Sequence, residues 1–130
     1  MKLFGSILGG TNKPENSSLS WQHLTDQLML EELKEVSFEQ PVMVYKHSTR
    51  CGISSMMLSR LERNYDLEQD ALRCYFLDLI KYRNLSEQLA EAFGVRHESP
   101  QVMLIRNGKA VYHASHGDID LTTIKEFLGL

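Results

Sequence analysis

The chain has 130 residues, 42% of them hydrophobic, with 14 basic and 17 acidic side chains and a formal charge of −3. That is one domain's length, enough to bury a core, and its charge supplies no basic field for nucleic acid or an anionic membrane. Two cysteines, Cys51 and Cys74, cannot build a disulfide framework, so a reducing cytoplasm is the expected compartment.

Residues 1–18 begin with a short apolar run broken by glycine and continue as turn-formers, Gly-Gly-Thr-Asn-Lys-Pro-Glu-Asn-Ser-Ser. They read as a flexible tail rather than a signal peptide, with the folded domain spanning 19–130. Leu19 to Leu24 alternates as a short edge strand does, and Thr25 then offers a helix N-cap, with Leu28, Met29, Leu33 and Val36 on one apolar face. Pro41 to Tyr45 reads as a buried strand. Ile53, Met56, Met57, Leu61 and Tyr65 recur at helical spacing, with the methionine pair as core filler. Ala71 to Ile80 is nearly all apolar, as in a strand covered on both faces. Asn84 and Glu87 form a capping box for a helix carrying Leu85, Leu89, Ala92 and Phe93, which Gly94 ends. Gln101–Ile105 and Lys109–His113 flank Arg106-Asn107-Gly108, a hairpin signal, and Asp120 caps a last helix with Leu121, Ile124, Phe127 and Leu128. The order β-α-β-α-β-α-β-β-α gives an α/β class with a mixed central sheet and helices on both faces, the element order of a thioredoxin-like fold.

Chemistry concentrates where the second strand ends. In His47-Ser48-Thr49-Arg50-Cys51-Gly52-Ile53-Ser54 an apolar run breaks and becomes a helical pattern, which sets Cys51 at a strand-to-helix corner. Free N–H groups of Gly52, Ile53 and Ser54 and the helix dipole favour thiolate there, and Lys46, His47 and Arg50 add positive charge. Ser54 stands where a dithiol enzyme would carry its second cysteine, so the chemistry is one-cysteine exchange with an external thiol. Ser54 is read either as a donor to the thiolate or as a solvated residue, and His47 either as a tuner of the thiol or, by strand parity, as pointing away. Cys74, inside an apolar strand, is read as a packing residue. His113 and His116 have no further ligands at metal spacing, so no metal site is expected.

Thioredoxin-like enzymes carry a second element opposite the thiol, a cis-proline entering a strand, and Glu98-Ser99-Pro100-Gln101-Val102 supplies a proline at that place. A cis Ser99–Pro100 bond is therefore expected. The thiol segment, the run Arg96-His97-Glu98-Ser99-Pro100-Gln101-Val102 and the stretch from Asn107-Gly108-Lys109 to His116-Gly117-Asp118-Ile119 together resemble the monothiol bacilliredoxin family, also known as YtxJ, over about residues 19 to 130. The family usually has Cys-Pro-Ile-Ser, and here Gly52 takes the proline's position. The resemblance implies an oxidoreductase that removes bacillithiol from mixed disulfides on client proteins through Cys51, with bacillithiol as co-substrate and no permanently bound cofactor. Lys46, Arg50 and the backbone N–H groups near Ser99 and Gly117 would hold the small thiol's carboxylates, and Ser99–Pro100 the client. S-thiolated client proteins and the small thiol are the expected partners, with a monomer favoured. Cys-Gly-x-Ser is also similar to monothiol glutaredoxins, so an iron–sulfur carrier bridged by Cys51 is one alternative. A binding module without turnover is the other.

Overall fold

The computed structural model describes residues 19–50 and 52–130; the expected tail at 1–18 and Cys51 itself lie outside the described residues. In chain order the elements are β1 (Trp21–His23), α1 (Gln27–Val36), β2 (Val42–His47), α2 (Gly52–Asn64), β3 (Arg73–Asp78), α3 (Arg83–Phe93), β4 (Gln101–Arg106), β5 (Lys109–Ser115), a short 3-10 turn (His116–Asp118) and α4 (Leu121–Leu128). The strands form one sheet in the order β1-β3-β2-β4-β5. β1 and β2 run parallel to β3, β4 runs antiparallel to β2, and β5 antiparallel to β4. This matches the expected element order: crossover helices build the parallel half, and the hairpin the rest.

The sheet separates two cores. On one face Met43 and Tyr45 of β2 and Cys74 of β3 pack with Met57 and Leu61 of α2 and Leu121 and Ile124 of α4. On the other, Val42 and Val44 pack with Tyr75, Leu77, Leu30 and Leu33 of α1, and Leu85 and Leu89 of α3. Alternation along β2 thus sends odd-numbered side chains toward α2 and even-numbered ones toward α1 and α3.

Three local details depart from the sequence reading. Asp26 rather than Thr25 caps α1, its carboxylate accepting the Met29 N–H at 3.0 Å. The helix phase set by that start buries Leu30 and Leu33 and leaves Leu28 75% exposed. Among the described residues no side chain caps α3, where Tyr82 is the N-cap and Asn84 lies inside the first turn. The chain is led in by Asp78 instead, whose carboxylate accepts from the N–H groups of Ile80 and Lys81 and whose carbonyl accepts from Tyr82. On α2, Ile53 and Met56 are exposed, and Met57 alone of the methionine pair enters the core.

The hairpin turn forms as expected, with Asn107 at φ 54° and Gly108 at φ 78°, the doubly left-handed geometry of a tight turn. It is anchored to the end of α1: the Ser37 carbonyl accepts from Asn107 N–H and the Ser37 hydroxyl from Gly108 N–H, both at 2.8 Å. A Cβ on Gly108 would stand 2.8 Å from Phe38 Cζ. Gly108→Ala should therefore cost about 1–2 kcal/mol in a urea denaturation comparison, the left-handed backbone and the displaced ring adding together.

Candidate active site

The segment leading to Cys51 leaves the C-terminal end of β2, whose last residues face opposite sides of the sheet. His47 points toward α2, where its Nδ1 lies 2.7 Å from Ser54 Oγ. Ser54 is fully buried; its hydroxyl oxygen also accepts the Ser48 N–H at 3.1 Å, and its carbonyl accepts the Tyr45 hydroxyl at 2.8 Å. Of the two readings of Ser54, the solvated one is thus replaced by a buried junction tying the first turn of α2 to Tyr45, His47 and Ser48. Behind it the His47 ring lies against Phe76 at 5.4 Å, and Phe76 against Trp21 at 5.8 Å. Burial, partly opposed by Asp78 and Glu62, lowers the His47 pKa from 6.5, so the imidazole is neutral near pH 7. Ser54→Ala would leave Ser48 N–H and His47 Nδ1 without their partner. We expect a loss of about 2 kcal/mol, measured as a shift in the urea midpoint at constant slope.

Gly52, the first residue of α2, is exposed, and among the described residues no atom beyond its chain neighbours and its own helix backbone lies within 4 Å of where its Cβ would be. The position can therefore take a side chain without displacing a neighbour. Arg50 and Ile53 are exposed beside it, Ile53 at 48%, and Met56 extends the apolar surface one turn along.

The proline loop stands beside the end of β2. Lys46 and Gln101 are register partners, so β4 begins where β2 finishes. The Ser99–Pro100 bond is cis, Pro100 is buried, and its carbonyl accepts the His116 N–H at 3.0 Å, bringing the turn that contains Gly117 against it. His116 adopts φ 56°, and Gly117 is exposed. The Ser99 hydroxyl is buried and has no hydrogen-bond partner among the described residues.

Lys46 departs from its expected role. Rather than offering an ammonium to a ligand, it is fully buried on the α3 side, with Nζ 3.3 Å from His97 Nδ1 and 3.5 Å from the Ser86 carbonyl. Burial pushes its pKa down from 10.5 to about 8. Sequence reasoning missed His97, Ser86 and Gln101 as members of this polar group; the one available signal was a lysine within an otherwise apolar strand.

Cys74 is buried, with its Sγ 3.7 Å from the Tyr65 hydroxyl. Burial pushes its pKa up to about 12. Its register partner on β2 is Met43, four residues before His47, a separation of about 13 Å along the strand that exceeds disulfide reach from that end. Among the described residues no group of three metal-ligating side chains comes together, and no helix is long and apolar enough to cross a membrane.

A family model described as monothiol bacilliredoxin BrxC matches residues 22–124. The chain belongs to the monothiol bacilliredoxin family. Among solved structures, one described as a candidate oxidoreductase with a thioredoxin fold is 31% identical, with a TM-score of 0.69 over 80% of this chain and 89% of that one. Malassezia sympodialis thioredoxin is 16% identical, with a TM-score of 0.65 over 85% and 89% of the two chains. A mutant thioredoxin from Halobacterium salinarum is 20% identical, with a TM-score of 0.58 over 92% and 93%. The bacilliredoxin therefore has a thioredoxin-like fold, as the element order had indicated, and the last two likenesses bear on the fold alone.

Proposed function

We propose that this bacilliredoxin removes bacillithiol from mixed disulfides on client proteins through Cys51. The observation that carries the reading is the apposition of two elements: the end of β2, from which the Cys51 segment leaves, lies in register with the start of β4, which the Ser99–Pro100 segment whose backbone would pair with a client leads into. The Cys51 thiolate attacks the sulfur of the bacillithiol moiety, forming a new disulfide as the client–sulfur bond breaks and the client leaves as thiolate. A second bacillithiol thiolate then attacks the bacillithiol sulfur of the Cys51 adduct, releasing the symmetric bacillithiol disulfide and restoring the Cys51 thiolate. The N–H groups of Gly52, Ile53 and Ser54 and the charge of Arg50 would stabilise the thiolate, both as nucleophile and as leaving group.

Exposed Ile53 and Met56 would give client segments an adaptable apolar contact beside the reacting sulfur. Arg50 and the backbone N–H groups near Ser99 and Gly117 would receive the malate carboxylates of bacillithiol. The test compares the two adducts of one client. Intact-protein mass spectrometry after a single turnover should show bacillithiol transferred to Cys51, faster than glutathione from the same cysteine, with Arg50→Ala narrowing the difference. Equal rates, or a preference for glutathione, would overturn the choice of thiol, and the absence of any transfer would overturn the activity.

A further inference from the structure

The geometry points to Lys46 and His97 as positioning residues that clamp the Val95–Pro100 loop to the sheet, so that presentation of the client-binding backbone depends on His97 remaining an unprotonated acceptor; this rests on the function proposed above. Lys46 is a lysine with no solvent exposure, and among the described residues no carboxylate pairs with it. Buried charges are ordinarily paired, so its placement needs a reason beyond packing. The nearest groups are the Ser86 carbonyl, His97 Nδ1 and, across the β2–β4 ladder, Gln101.

His97 differs from its partner. Its residue is exposed, but its Nδ1 edge is turned inward, 3.3 Å from Lys46 Nζ and 3.2 Å from Ser86 Oγ. One ring nitrogen thus faces two groups able to donate, a combination satisfied only while Nδ1 carries its lone pair. A second tie lies beside it: Gln101, fully buried, donates through Nε2 to the Arg96 carbonyl at 2.9 Å, while its Oε1 has no partner among the described residues. The sheet therefore grips the loop at two consecutive residues, Arg96 through Gln101 and His97 through Lys46. Two residues further on is Ser99, whose bond to Pro100 is cis.

Protonating His97 would turn its inward edge from acceptor to donor and set a second cation against Lys46. The other charged groups around the ring are Arg83 and Glu87 from α3 and Glu98 from the loop; Lys46 and Arg83 oppose protonation, whereas Glu87 and Glu98 favour it. Burial is the largest influence and acts with the cations, so the neutral acceptor form persists to below pH 6.5. The clamp is therefore closed near neutrality and opens in acid.

The test must separate loop presentation from thiolate population. Exchange with a one-cysteine test protein carrying bacillithiol and alkylation by iodoacetamide both need the thiolate, but only the first needs the loop. The ratio of the two rates should fall by about fivefold or more between about pH 7.5 and about pH 5 in the wild type. In His97→Asn, whose amide oxygen can accept but does not titrate there, the ratio should be flat. In Lys46→Met it should be low and flat. A flat wild-type ratio, or the same slope in His97→Asn, would overturn the proposal; His97 is exposed, so that variant decides the matter on its own. An NMR titration distinguishes this result from failure of the proposed activity. The backbone amides of Ser99 and Gln101 and the Gln101 side-chain amide should follow the His97 ring titration in the wild type and lose that inflection in His97→Asn. Amides that ignore His97 would overturn the clamp whether or not exchange is observed.

Discussion

Cys51→Ser should lower exchange by about three orders of magnitude or more, because a serine hydroxyl cannot serve as the disulfide nucleophile and the described neighbourhood offers no substitute thiol. Cys74→Ser should by contrast retain turnover and lose about 1 kcal/mol of stability, since Cys74 is buried, has a pKa raised to about 12 and lies at the far end of its strand from the β2 terminus. Iodoacetamide trapping against pH would complete the comparison. The wild-type profile should show a thiol with a pKa below about 8.5, unchanged by the Cys74 substitution and absent after the Cys51 substitution. A midpoint at or above the free-thiol value would remove the argument from the helix start, and loss of turnover in a folded Cys74→Ser protein would make Cys74 a participant.

The second large effect is one of stability. Lys46→Met should stabilise the fold at pH 7 by about 2 kcal/mol, in a manner that depends on pH. The depression of the Lys46 pKa from 10.5 to about 8 corresponds to about 3 kcal/mol held against the folded, charged state. Methionine keeps most of the apolar stem's packing but forgoes the contacts with Ser86 and His97, which accounts for the smaller net figure. Below pH 8 the lysine is protonated in both folded and unfolded chains, and the wild type bears the whole cost. Between pH 8 and 10.5 the unfolded chain holds a proton that the folded chain has released, so wild-type stability rises with pH and the advantage of methionine shrinks. Urea denaturation of both proteins at pH 7 and pH 10 would show it. A variant less stable than wild type at pH 7, or a difference that grows with pH, would contradict the assignment of the cost to a buried charge. If His97 and Lys46 hold the client loop as proposed, the same substitution gains stability and loses exchange, a trade common at functional sites.

Legibility in the sequence followed how local each signal was. The Asn107-Gly108 turn, the Gly94 helix stop at φ 65° and the Asp120 cap, which accepts from Thr123 N–H at 3.1 Å, each depend on a few neighbouring residues, and all three formed as expected. The start of α3 did not, because Asp78 competed with Asn84 for control of the entry turn, and nothing near Asn84 reveals that rival. On α2 the inward face runs through Ser54, Met57 and Leu61. A polar residue occupying a core position shifted the apparent hydrophobic stripe toward Ile53 and Met56, which face solvent. β2 is buried along all six residues, so alternation of polarity could not show which way Lys46 and His47 point. At the site, the strand-to-helix motif and the proline were visible in the sequence. The coupling of Lys46 to His97 was not, since it joins residues 51 positions apart and required the register of β2 with β4.

That register also bears on how the chain can change by insertion and deletion. His47 and Lys46 are consecutive, yet one meets α2 and the other the loop from α3 to β4, with no side chain between them to absorb a slip. Losing or gaining one residue within β2 would exchange their faces, setting an amine against Ser54 and an imidazole beneath α3 while also turning Tyr45 and Val44 into each other's core. Length variation along this stretch should therefore be tolerated only in steps of two, or displaced into the loops on either side. Tyr45 to Ser48 behaves as a frame whose reading must stay in phase, even where the identity of a single side chain is free to vary.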